Sequence, residues 1–545
     1  MGDTHEVTNQ PPPLVDYDMA AADPVLSDAL AREGAGDRLA VVEQHGRLMG
    51  VAETFGWGAQ ANKNPPVLHT HDAWGNRADI VEYHPSWHSL LGLAVEHGLH
   101  SLPWEADPGD GSHPTRTALT FLASQVEAGH FCPVSMTTSA VPVIRRQPDL
   151  ALEWEPLQLA RAYDPSFRPA SKKSGVLVGM GMTEKQGGSD VRANTTRATP
   201  IGSDGEFVLT GHKWFMSAPM SDAFLVLATT GKGLSCFFLP RFTPDGEVNG
   251  IRIQRLKDKL GNRSNASTEV EFDSAWARLI GEEGRGVVEI IEMVAGTRLD
   301  CVTGSSALMR QAVSQAIHHT VHRRAFGSPL VEKPLMRNVL ADLEIETEAA
   351  VLLMMRLAGA FDRAPIDENE ARIRRILTPV AKYWVTKRCS EVVREALECV
   401  GGNGYVEESI MPRLYRESPV NAIWEGSGNV IALDLVRVIS GHAEAVDALE
   451  AELELGLGVD PRLDGAVRSA LESARGHNDA EYEARRLAEG LALALTGTLL
   501  ARHGRPEVWR AFASSRLSPG HGSLYGTLPV GLDVAEIIEP AIPRL

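Results

Sequence analysis

A glycine-rich segment over residues 179–190 is the first stretch of this sequence whose residue types could do chemistry. It reads Gly-Met-Gly-Met-Thr-Glu-Lys-Gln-Gly-Gly-Ser-Asp. Glycine lets a backbone approach a ligand closely, and successive N–H groups in such a turn can surround an anion. Thr183 and Ser189 add hydroxyl donors. A pyrophosphate or the edge of a flavin ring could bind there, although the glycines could equally serve only to turn the chain. The segment matches neither of the two commonest nucleotide-binding glycine patterns.

Two adjacent aromatic residues form the second candidate. Trp214 and Phe215 lie in the segment Gly-His-Lys-Trp-Phe-Met-Ser, which covers residues 211–217. A pair of rings beside a glycine-led turn could form the wall of a planar cofactor site. Aromatic pairs more often fill a protein core, so core packing stands as the alternative.

A single glutamate is the third candidate. Glu425 follows Trp424 and precedes a Gly-Ser-Gly run. Desolvation beside the indole would raise the pKa of the carboxyl toward the range that suits a general base. The alternative is an ordinary surface carboxylate or a helix cap.

Four segments are predicted to position these residues, and together they make an α+β multidomain protein. Residues 1–178 are predicted as an N-terminal helical domain that begins with an extended, proline-rich arm. Short runs of Val, Leu and Phe between Gly-containing turns predict a compact antiparallel β domain over 179–285. The helical period returns over 286–440, which indicates a bundle, and continues in a C-terminal helical extension over 441–545.

Apolar periodicity gives the individual elements. The predicted helices cover residues 24–33, 84–97, 116–127, 305–324, 335–361, 376–399, 430–439, 443–455, 464–475 and 479–501. The predicted strands cover residues 206–210, 223–228, 234–239 and 268–272.

Composition limits the class of protein. The 545 residues carry a formal net charge of −18, which argues weakly against nucleic-acid binding, although a local basic patch could override it. The five cysteines are scattered without a Cys-x-x-Cys pair, so we expect no metal site and a reduced intracellular compartment. The polar N-terminus has no secretory signal pattern, and the longest apolar stretch, 487–501, contains Glu489. We therefore expect a soluble cytoplasmic protein without a membrane partner.

The order and spacing of seven motifs resemble the acyl-CoA dehydrogenase family. The resemblance runs from about residue 85 to residue 440. The motifs are Met-Thr-Glu through Gly-Gly-Ser-Asp at 182–190, Gly-x-Lys with Phe and Ser at 211–217, Lys-Leu-Gly-Asn-Arg-Ser at 259–264, Gly with Glu-Gly-Arg-Gly at 281–286, Arg-x-x-Phe-Gly at 323–327, Gly-Gly-Asn-Gly-Tyr at 401–405 and Glu-Gly-Ser at 425–427.

Further segments are similar to the branch of that family represented by AidB, the alkylation-response protein. They are Asn-Gln-Pro-Pro-Pro at 9–13, Arg-Glu-Gly-Ala-Gly at 32–36, Asn-Pro-Pro at 64–66 and Gln-Val-Glu-Ala-Gly at 125–129. Lys185 stands where ordinary family members have proline, and the chain has the C-terminal extension of that branch.

The resemblance implies FAD as the cofactor and gives a role to each matching residue. Met182 and Thr183 would contact the isoalloxazine ring, while Gly188 and Ser189 would hold the pyrophosphate. The remaining cofactor contacts would be Trp214, Phe215 and Ser217 beside the ring, Arg323 and Phe326 reaching the FAD of a neighbouring subunit, and Ser427 and Asn429 after the base. A cofactor shared between subunits requires a homo-oligomer, and the family suggests a homotetramer.

The implied reaction is α,β-dehydrogenation of a small or branched acyl-CoA thioester. Glu425 would be the base that removes the α-proton, and its own N–H would help to polarise the thioester oxygen. Some family members carry the base at the position of Thr297, which is not a carboxylate here. Electron-transfer flavoprotein or another acceptor would receive the electrons.

The resemblance to the AidB branch also implies an alternative function, in which a flavoprotein binds double-stranded DNA and protects it from alkylation, with weak dehydrogenase activity. In the extension 441–545, ten arginines and no lysine stand against sixteen acidic residues, so its net charge is −6. A patch could still form where arginines share a face, because phosphate binding depends on local Lys and Arg. The candidates are Arg437, Arg485, Arg486, Arg502, Arg505 and Arg510. Ordinary solvated arginines are the other interpretation.

Overall fold

The computed structural model describes residues 4–202, 205–476, 480–519 and 522–544. The first 178 residues are mainly helical, as predicted. The predicted helix 24–33 ends early, because an irregular turn follows in which Gly34 has a φ of 88°. The helices are α1 Leu26–Leu30, α2 Leu39–Gly50, α3 Ala52–Lys63, α4 Pro85–Glu96, α5 Leu102–Glu105, α6 Ser112–Val126, α7 Phe131–Ile144 and α8 Pro148–Gln158.

A β-hairpin interrupts these helices, and the sequence analysis did not predict it. Strands β1 (Val67–His71) and β2 (Arg77–Glu82) pair antiparallel. The side chain of Asp72 closes the loop by accepting hydrogen bonds from the backbone N–H groups of Trp74 and Asn76, both at 2.9 Å.

Seven strands form the β domain, in the order β3-β6-β4-β5-β9-β7, with β8 added to β9. Strand β7 pairs with both β9 and β6, so the sheet closes on itself. The strands are β3 Val178–Gly181, β4 Arg197–Pro200, β5 Glu206–Ser217, β6 Ala223–Thr230, β7 Gly233–Pro240, β8 Ile251–Leu256 and β9 Ser267–Ile280.

The β domain is mainly antiparallel, as predicted, with parallel pairing on both sides of β6. Strands β3 and β4 both pair parallel to β6. Parallel neighbours need a connection longer than a hairpin turn, and the glycine-rich segment with the β4–β5 hairpin lies between β3 and β6. Because of this long connection, β6 can run in the same direction as β3 and pair beside it.

The bundle helices agree with the predicted segment, although α9 begins 19 residues before the predicted start at 305. Gly296 lies within α9, and a Cβ atom there would stand 2.6 Å from Ser139 Oγ of α7. The absence of a side chain at Gly296 therefore lets α7 approach α9 closely. The elements are α9 Gly286–His322, β10 Arg324–Ala325, β11 Ser328–Pro329, α10 Pro334–Arg363, α11 Glu368–Val400, α12 Met411–Glu417 and α13 Gly428–Gly441.

The C-terminal extension is helical as predicted, with two helices that the sequence analysis did not predict, α17 and α18. Residue 479, the predicted start of α16, lies outside the described residues. Within the described ranges, no helix is both long enough and apolar enough to cross a membrane. The helices are α14 Ala443–Glu454, α15 Pro461–Arg475, α16 Ala480–His503, α17 Pro506–Arg516 and α18 Val534–Ile538.

The chain divides into two compact units, each assembled from separated stretches. We call Met1–Phe55, Pro108–Val126 and Cys301–Leu545 the bundle unit, and Gly56–Asp107 with Glu127–Asp300 the sheet unit. In the sheet unit, α7 and α8 pack on the sheet, and Trp154 meets Phe238 edge to face at 4.7 Å. The four-segment division of the chain stays a prediction.

Candidate functional site

Backbone and side-chain hydrogen bonds of the sheet unit hold the glycine loop, residues 182–190, against neighbouring strands. The Trp214 N–H donates to the Thr183 carbonyl at 2.8 Å. Asn194 Nδ2 donates to the Met182 carbonyl at 2.9 Å. The two loop residues that are predicted to contact a flavin ring are therefore fixed in place by their backbones.

A buried ion pair anchors the same loop from inside. Glu184 and Lys213 are fully buried, and Lys213 Nζ lies 2.9 Å from Glu184 Oε1. Burial opposes ionisation of the carboxyl, but hydrogen bonding by Thr196 and the charge of Lys213 hold the pKa of Glu184 well below its usual range. Burial lowers the pKa of Lys213, and Glu184 offsets part of this effect. The pair joins the glycine loop to the middle of β5.

The remaining loop residues leave an accessible glycine turn. Gly188 packs so closely on Thr183 that a side chain at Gly188 would stand 2.4 Å from Thr183 Oγ1. Gly187 has a φ of 138°, and Gly188 and Ser189 are exposed. The structure therefore brings together Thr183, Gly188 and Ser189, and places backbone N–H groups and two hydroxyls at an open surface.

The two aromatic residues of β5 have different surroundings. Their ring planes are 84° apart with centroids at 6.5 Å, so they do not form one flat wall. Lys257 Nζ lies over both rings, 3.1 Å from the Trp214 centroid and 4.8 Å from the Phe215 centroid. Phe215 is 49% exposed and is the more accessible of the two rings.

A short chain of polar contacts follows at the end of β5. Ser217 Oγ and Ser267 Oγ are 2.9 Å apart, and Lys259 Nζ donates to Ser267 Oγ at 3.0 Å. The Lys-Leu-Gly-Asn-Arg-Ser motif of residues 259–264 thereby supports Ser217 through its first residue.

In the bundle unit, Glu425 lies on the loop between α12 and α13. Its backbone φ is 57°, a conformation uncommon for a residue with a side chain. Its neighbour Trp424 donates its indole N–H to Asn421 Oδ1 at 2.8 Å. Asn421 in turn donates to Ser305 Oγ on α9 at 3.1 Å. The carboxylate is thus carried by a loop whose flanking side chains are fixed.

The two predicted residues that follow Glu425 are placed at the start of α13. Ser427 occupies the N-cap position and is exposed. Asn429 is exposed and accepts a hydrogen bond from Arg485 Nε at 2.8 Å through its Oδ1. Glu425, Ser427 and Asn429 therefore share one turn of the bundle unit.

The Arg-x-x-Phe-Gly motif forms a tight hairpin, β10–β11, after α9. Phe326 and Gly327 occupy its turn with φ values of 50° and 86°, and the Phe326 side chain is 96% exposed. Arg323 Nη1 donates to the carbonyl of Asn9 in the N-terminal arm at 2.6 Å. An apolar ring is thus presented to solvent on a rigid turn.

Three groups that hold the predicted residues in place have no role that the sequence pattern indicates. They are the pair Glu184 and Lys213, the arm residue Asn9, and the buried Lys382 of α11. Glu184 and Lys213 lie inside recognised motifs, and charged residues within otherwise apolar strand patterns are a usable signal of a buried pair. No periodicity points to Asn9 or Lys382, because both act through contacts distant in sequence.

The closed β domain followed by a long-helix bundle, with a glycine loop and a loop that carries Glu425, is the arrangement of the acyl-CoA dehydrogenase class. Residues 9–165 match the adaptive response protein AidB N-terminal domain. Residues 179–275 match the acyl-CoA dehydrogenase middle domain, and residues 284–440 match the C-terminal domain of that family.

Individual relatives are consistent with these matches. The chain is 46% identical over 520 residues, 95% of each chain, to the putative acyl-CoA dehydrogenase AidB of Escherichia coli (strain K12). It is 34% identical to acyl-CoA dehydrogenase family member 11 of Caenorhabditis elegans, over 76% of this chain and 69% of that one. The crystal structure of Caenorhabditis elegans ACDH-11 in complex with C11-CoA superposes with a TM-score of 0.83 at 29% identity, covering 100% of this chain and 95% of that one. The chain belongs to the acyl-CoA dehydrogenase family, in its AidB branch.

Proposed function

We propose that this protein catalyses the α,β-dehydrogenation of a small or branched acyl-CoA thioester, with Glu425 as the base. Family membership makes it an FAD-dependent oxidoreductase. The observation that carries the assignment of the base is the conformation of Glu425. Asp16, Asp79 and Glu425 are the carboxylate residues with a positive φ among the described residues, and Glu425 is the one that lies in the Glu-Gly-Ser motif. A strained backbone at a motif carboxylate, within a loop fixed by its neighbours, supports a functional position.

The residues of the sheet unit fit a flavin dinucleotide. The exposed Gly188 and Ser189 offer N–H and hydroxyl donors that suit a pyrophosphate. Phe215 is about half exposed, and the carbonyls of Met182 and Thr183 are held by Asn194 and by the Trp214 N–H of β5. When bound, FAD supplies the hydride acceptor that no side chain provides.

The chain's own contribution to the reaction is a proton transfer and its orientation. Glu425 takes the α-proton, and its backbone N–H donates to the thioester oxygen, which stabilises the charge that develops there. Ser427 and Asn429, in the same turn, are assigned to cofactor binding. These roles rest on motif positions and on the geometry of the loop.

Assembly into a homotetramer is part of the proposal. Phe326 is almost fully exposed on the hairpin β10–β11, which leaves its ring accessible to a neighbouring subunit. In a tetramer, Phe326 and Arg323 reach the FAD of a neighbouring subunit. Electron-transfer flavoprotein is the proposed electron acceptor.

Anaerobic titration of the purified protein with acyl-CoAs tests the proposal. Flavin content is measured first, and then bleaching of the flavin by short, branched and C11 acyl-CoAs. We expect a small or branched thioester to bleach fastest. Glu425→Gln should slow bleaching by about a hundred- to ten-thousand-fold, because general-base catalysis contributes that much. Glu391→Gln, a change at an exposed carboxylate of α11, is the control.

Three results would count against parts of this proposal. Fastest bleaching by C11-CoA would replace the predicted chain length with that of the ligand bound to ACDH-11. Equal rates in the wild type and Glu425→Gln would remove Glu425 as the base. Retained flavin without bleaching by any thioester would overturn dehydrogenation itself.

DNA protection is the alternative implied by the AidB branch, and the surroundings of the arginines give it less support. Arg505 is 17% exposed and donates to Glu348 and to the Ile537 carbonyl. Arg485 is bonded to Asn429. Two of the arginines proposed to share a phosphate-binding face are therefore already bonded within the bundle unit. Salt-dependent binding of duplex DNA would revive this function.

A further inference from the structure

A buried lysine of α11 contacts the loop that carries Glu425. Lys382 lies in the middle of that helix, and only 1% of it is exposed. Its Nζ donates to the Trp424 carbonyl at 2.9 Å and to the Gly426 carbonyl at 2.5 Å. A single side-chain nitrogen therefore binds the backbone on both sides of Glu425.

The conformation of Glu425 explains why such a clamp is needed. A residue with a side chain and a φ of 57° is in the left-handed region, and such a conformation persists only where surrounding contacts impose it. Gly426, with a φ of 106°, lets the chain turn immediately afterwards. If the two carbonyls were released, the loop could relax toward ordinary backbone angles and turn the carboxylate away.

The other braces of this loop act at a different point. The indole of Trp424 is bonded to Asn421, and Asn421 to Ser305 of α9. These contacts fix a side chain and an earlier part of the loop. Lys382 is the group whose Nζ bonds the carbonyls of the residues before and after Glu425.

We propose that Lys382 is a positioning residue, which imposes the left-handed conformation of Glu425 and thereby aims its carboxylate at the substrate. The inference rests on the proposed function, because it takes Glu425 as the base. Lys382 itself neither binds the thioester nor transfers a proton in this account. Its effect should therefore appear in the rate of proton removal, and not in substrate affinity or flavin binding.

Lys382→Met is the principal variant, because methionine fills a similar volume and has no donor. We expect the maximal rate of flavin bleaching to fall by about ten- to a hundredfold. Half-saturation by the acyl-CoA should change less than about twofold, and flavin content should stay at the wild-type level. Amide hydrogen exchange over residues 424–428 should become faster, which reports the loop directly and requires no turnover.

Lys173→Met is the matched control. The side chain of Lys173 is also largely buried, and its Nζ lies 2.7 Å from Asp222 in the sheet unit. Its loss should lower the melting temperature without slowing bleaching or changing exchange over 424–428. If Lys382→Met is not recovered as folded protein, Lys382→Gln, which keeps a donor but no charge, replaces it and should show a smaller change in the same direction.

The outcomes separate this inference from the proposed function. If Glu425→Gln is inactive while Lys382→Met bleaches at the wild-type rate, the positioning role is wrong and the base assignment stands. A fall in rate that parallels loss of flavin would also overturn it, since the lysine would then be merely structural. If Glu425→Gln bleaches normally, the base assignment fails, and faster exchange in Lys382→Met would still show that the lysine holds the loop.

Discussion

The Glu184–Lys213 pair illustrates how single residues of the sheet unit support a ligand site without touching it. Glu184 accepts hydrogen bonds from the backbone N–H groups of Thr195 at 2.7 Å and Thr196 at 3.1 Å. Lys213 also donates to the Leu227 carbonyl on β6 at 2.7 Å. The pair therefore connects the glycine loop to β5, to β6 and to the residues just before β4.

Loss of one partner from this pair should be more damaging than loss of both. Lys213→Met leaves a carboxylate buried without its counter-charge, which costs about 3–5 kcal/mol in comparable cases. We expect a clear fall in melting temperature and weaker retention of FAD. The double variant Glu184→Gln/Lys213→Met should recover part of the stability. Thermal melts of all three proteins with and without added FAD test this, and equal losses in the single and double variants would contradict it.

At the scale of elements, the N-terminal arm stabilises the β10–β11 hairpin. Asn9 Nδ2 donates to the Arg324 carbonyl at 2.9 Å, and the Arg324 N–H donates to Asn9 Oδ1 at 2.7 Å. His318 of α9 lies 2.8 Å from the Pro12 carbonyl. The side-chain amide of Asn9 thus pairs with the hairpin as another strand residue would.

Asn9→Ala should therefore loosen the hairpin that carries Phe326. Two hydrogen bonds of about 1 kcal/mol each are lost, so we expect FAD to dissociate about five- to tenfold faster while the melting temperature of the apoprotein changes little. Release of flavin fluorescence after dilution measures this. Val7→Ala, a change at an exposed position of the same arm, is the control. Unchanged flavin release in Asn9→Ala would show that the hairpin does not depend on the arm.

Elements with strong periodicity could be predicted from the sequence, whereas their ends often could not. The predicted helix 376–399 begins eight residues earlier, at Glu368, because Asp367 caps it by accepting from the N–H groups of Asn369 and Glu370. The cap with Glu370 three residues later was a readable signal. The parallel pairing of β3 had no such signal, because the alternation of apolar residues within a strand does not show which distant strand it pairs with.

The same limit applies to the candidate site. In the structure, Gly188 packs against Thr183 within the glycine loop, and Glu425 lies two residues before Ser427, the N-cap of α13. The roles assigned to these residues stay predictions. The lysine that binds both carbonyls beside Glu425 comes from a helix 43 positions earlier. Such support could be found only from the folded chain.

At the scale of the whole molecule, buried ion pairs join the C-terminal extension to the bundle helices within one unit. Arg516 lies 2.9 Å from Glu346 of α10, and Arg388 of α11 donates to Tyr525 at 2.5 Å. Burial opposes ionisation of Glu346, but the charges of Arg388 and Arg516 lower its pKa to about 2. Arg388 of α11 and Arg516 of the extension thus balance the negative charge of Glu346 on α10.

Acid should destabilise the protein through its buried histidines as well as its paired carboxylates. Burial, followed by the nearby charges of Arg323 and His318, lowers the pKa of His319 from 6.5 to about 4. Below pH 6.5 the unfolded chain binds a proton at this position, whereas the folded chain stays neutral until about pH 4. The free energy of unfolding therefore contains a contribution that is complete above pH 6.5 and is lost as the pH falls toward 4.

His319→Gln removes this proton-linked contribution, so its melting temperature should depend less on pH. Between pH 7 and pH 5, we expect the wild type to lose on the order of 2 °C more than the variant, in line with the shift that a modest change in stability causes in a large domain. His69→Gln, at an exposed histidine of the hairpin β1–β2, should follow the wild type. The slope of the melting temperature against pH is the quantity to compare, because substitution of a buried residue also lowers the melting temperature at every pH. Parallel curves for the wild type and His319→Gln would mean that His319 is not a source of acid sensitivity, and the paired carboxylates would then account for it below their own unfolded pKa of about 4.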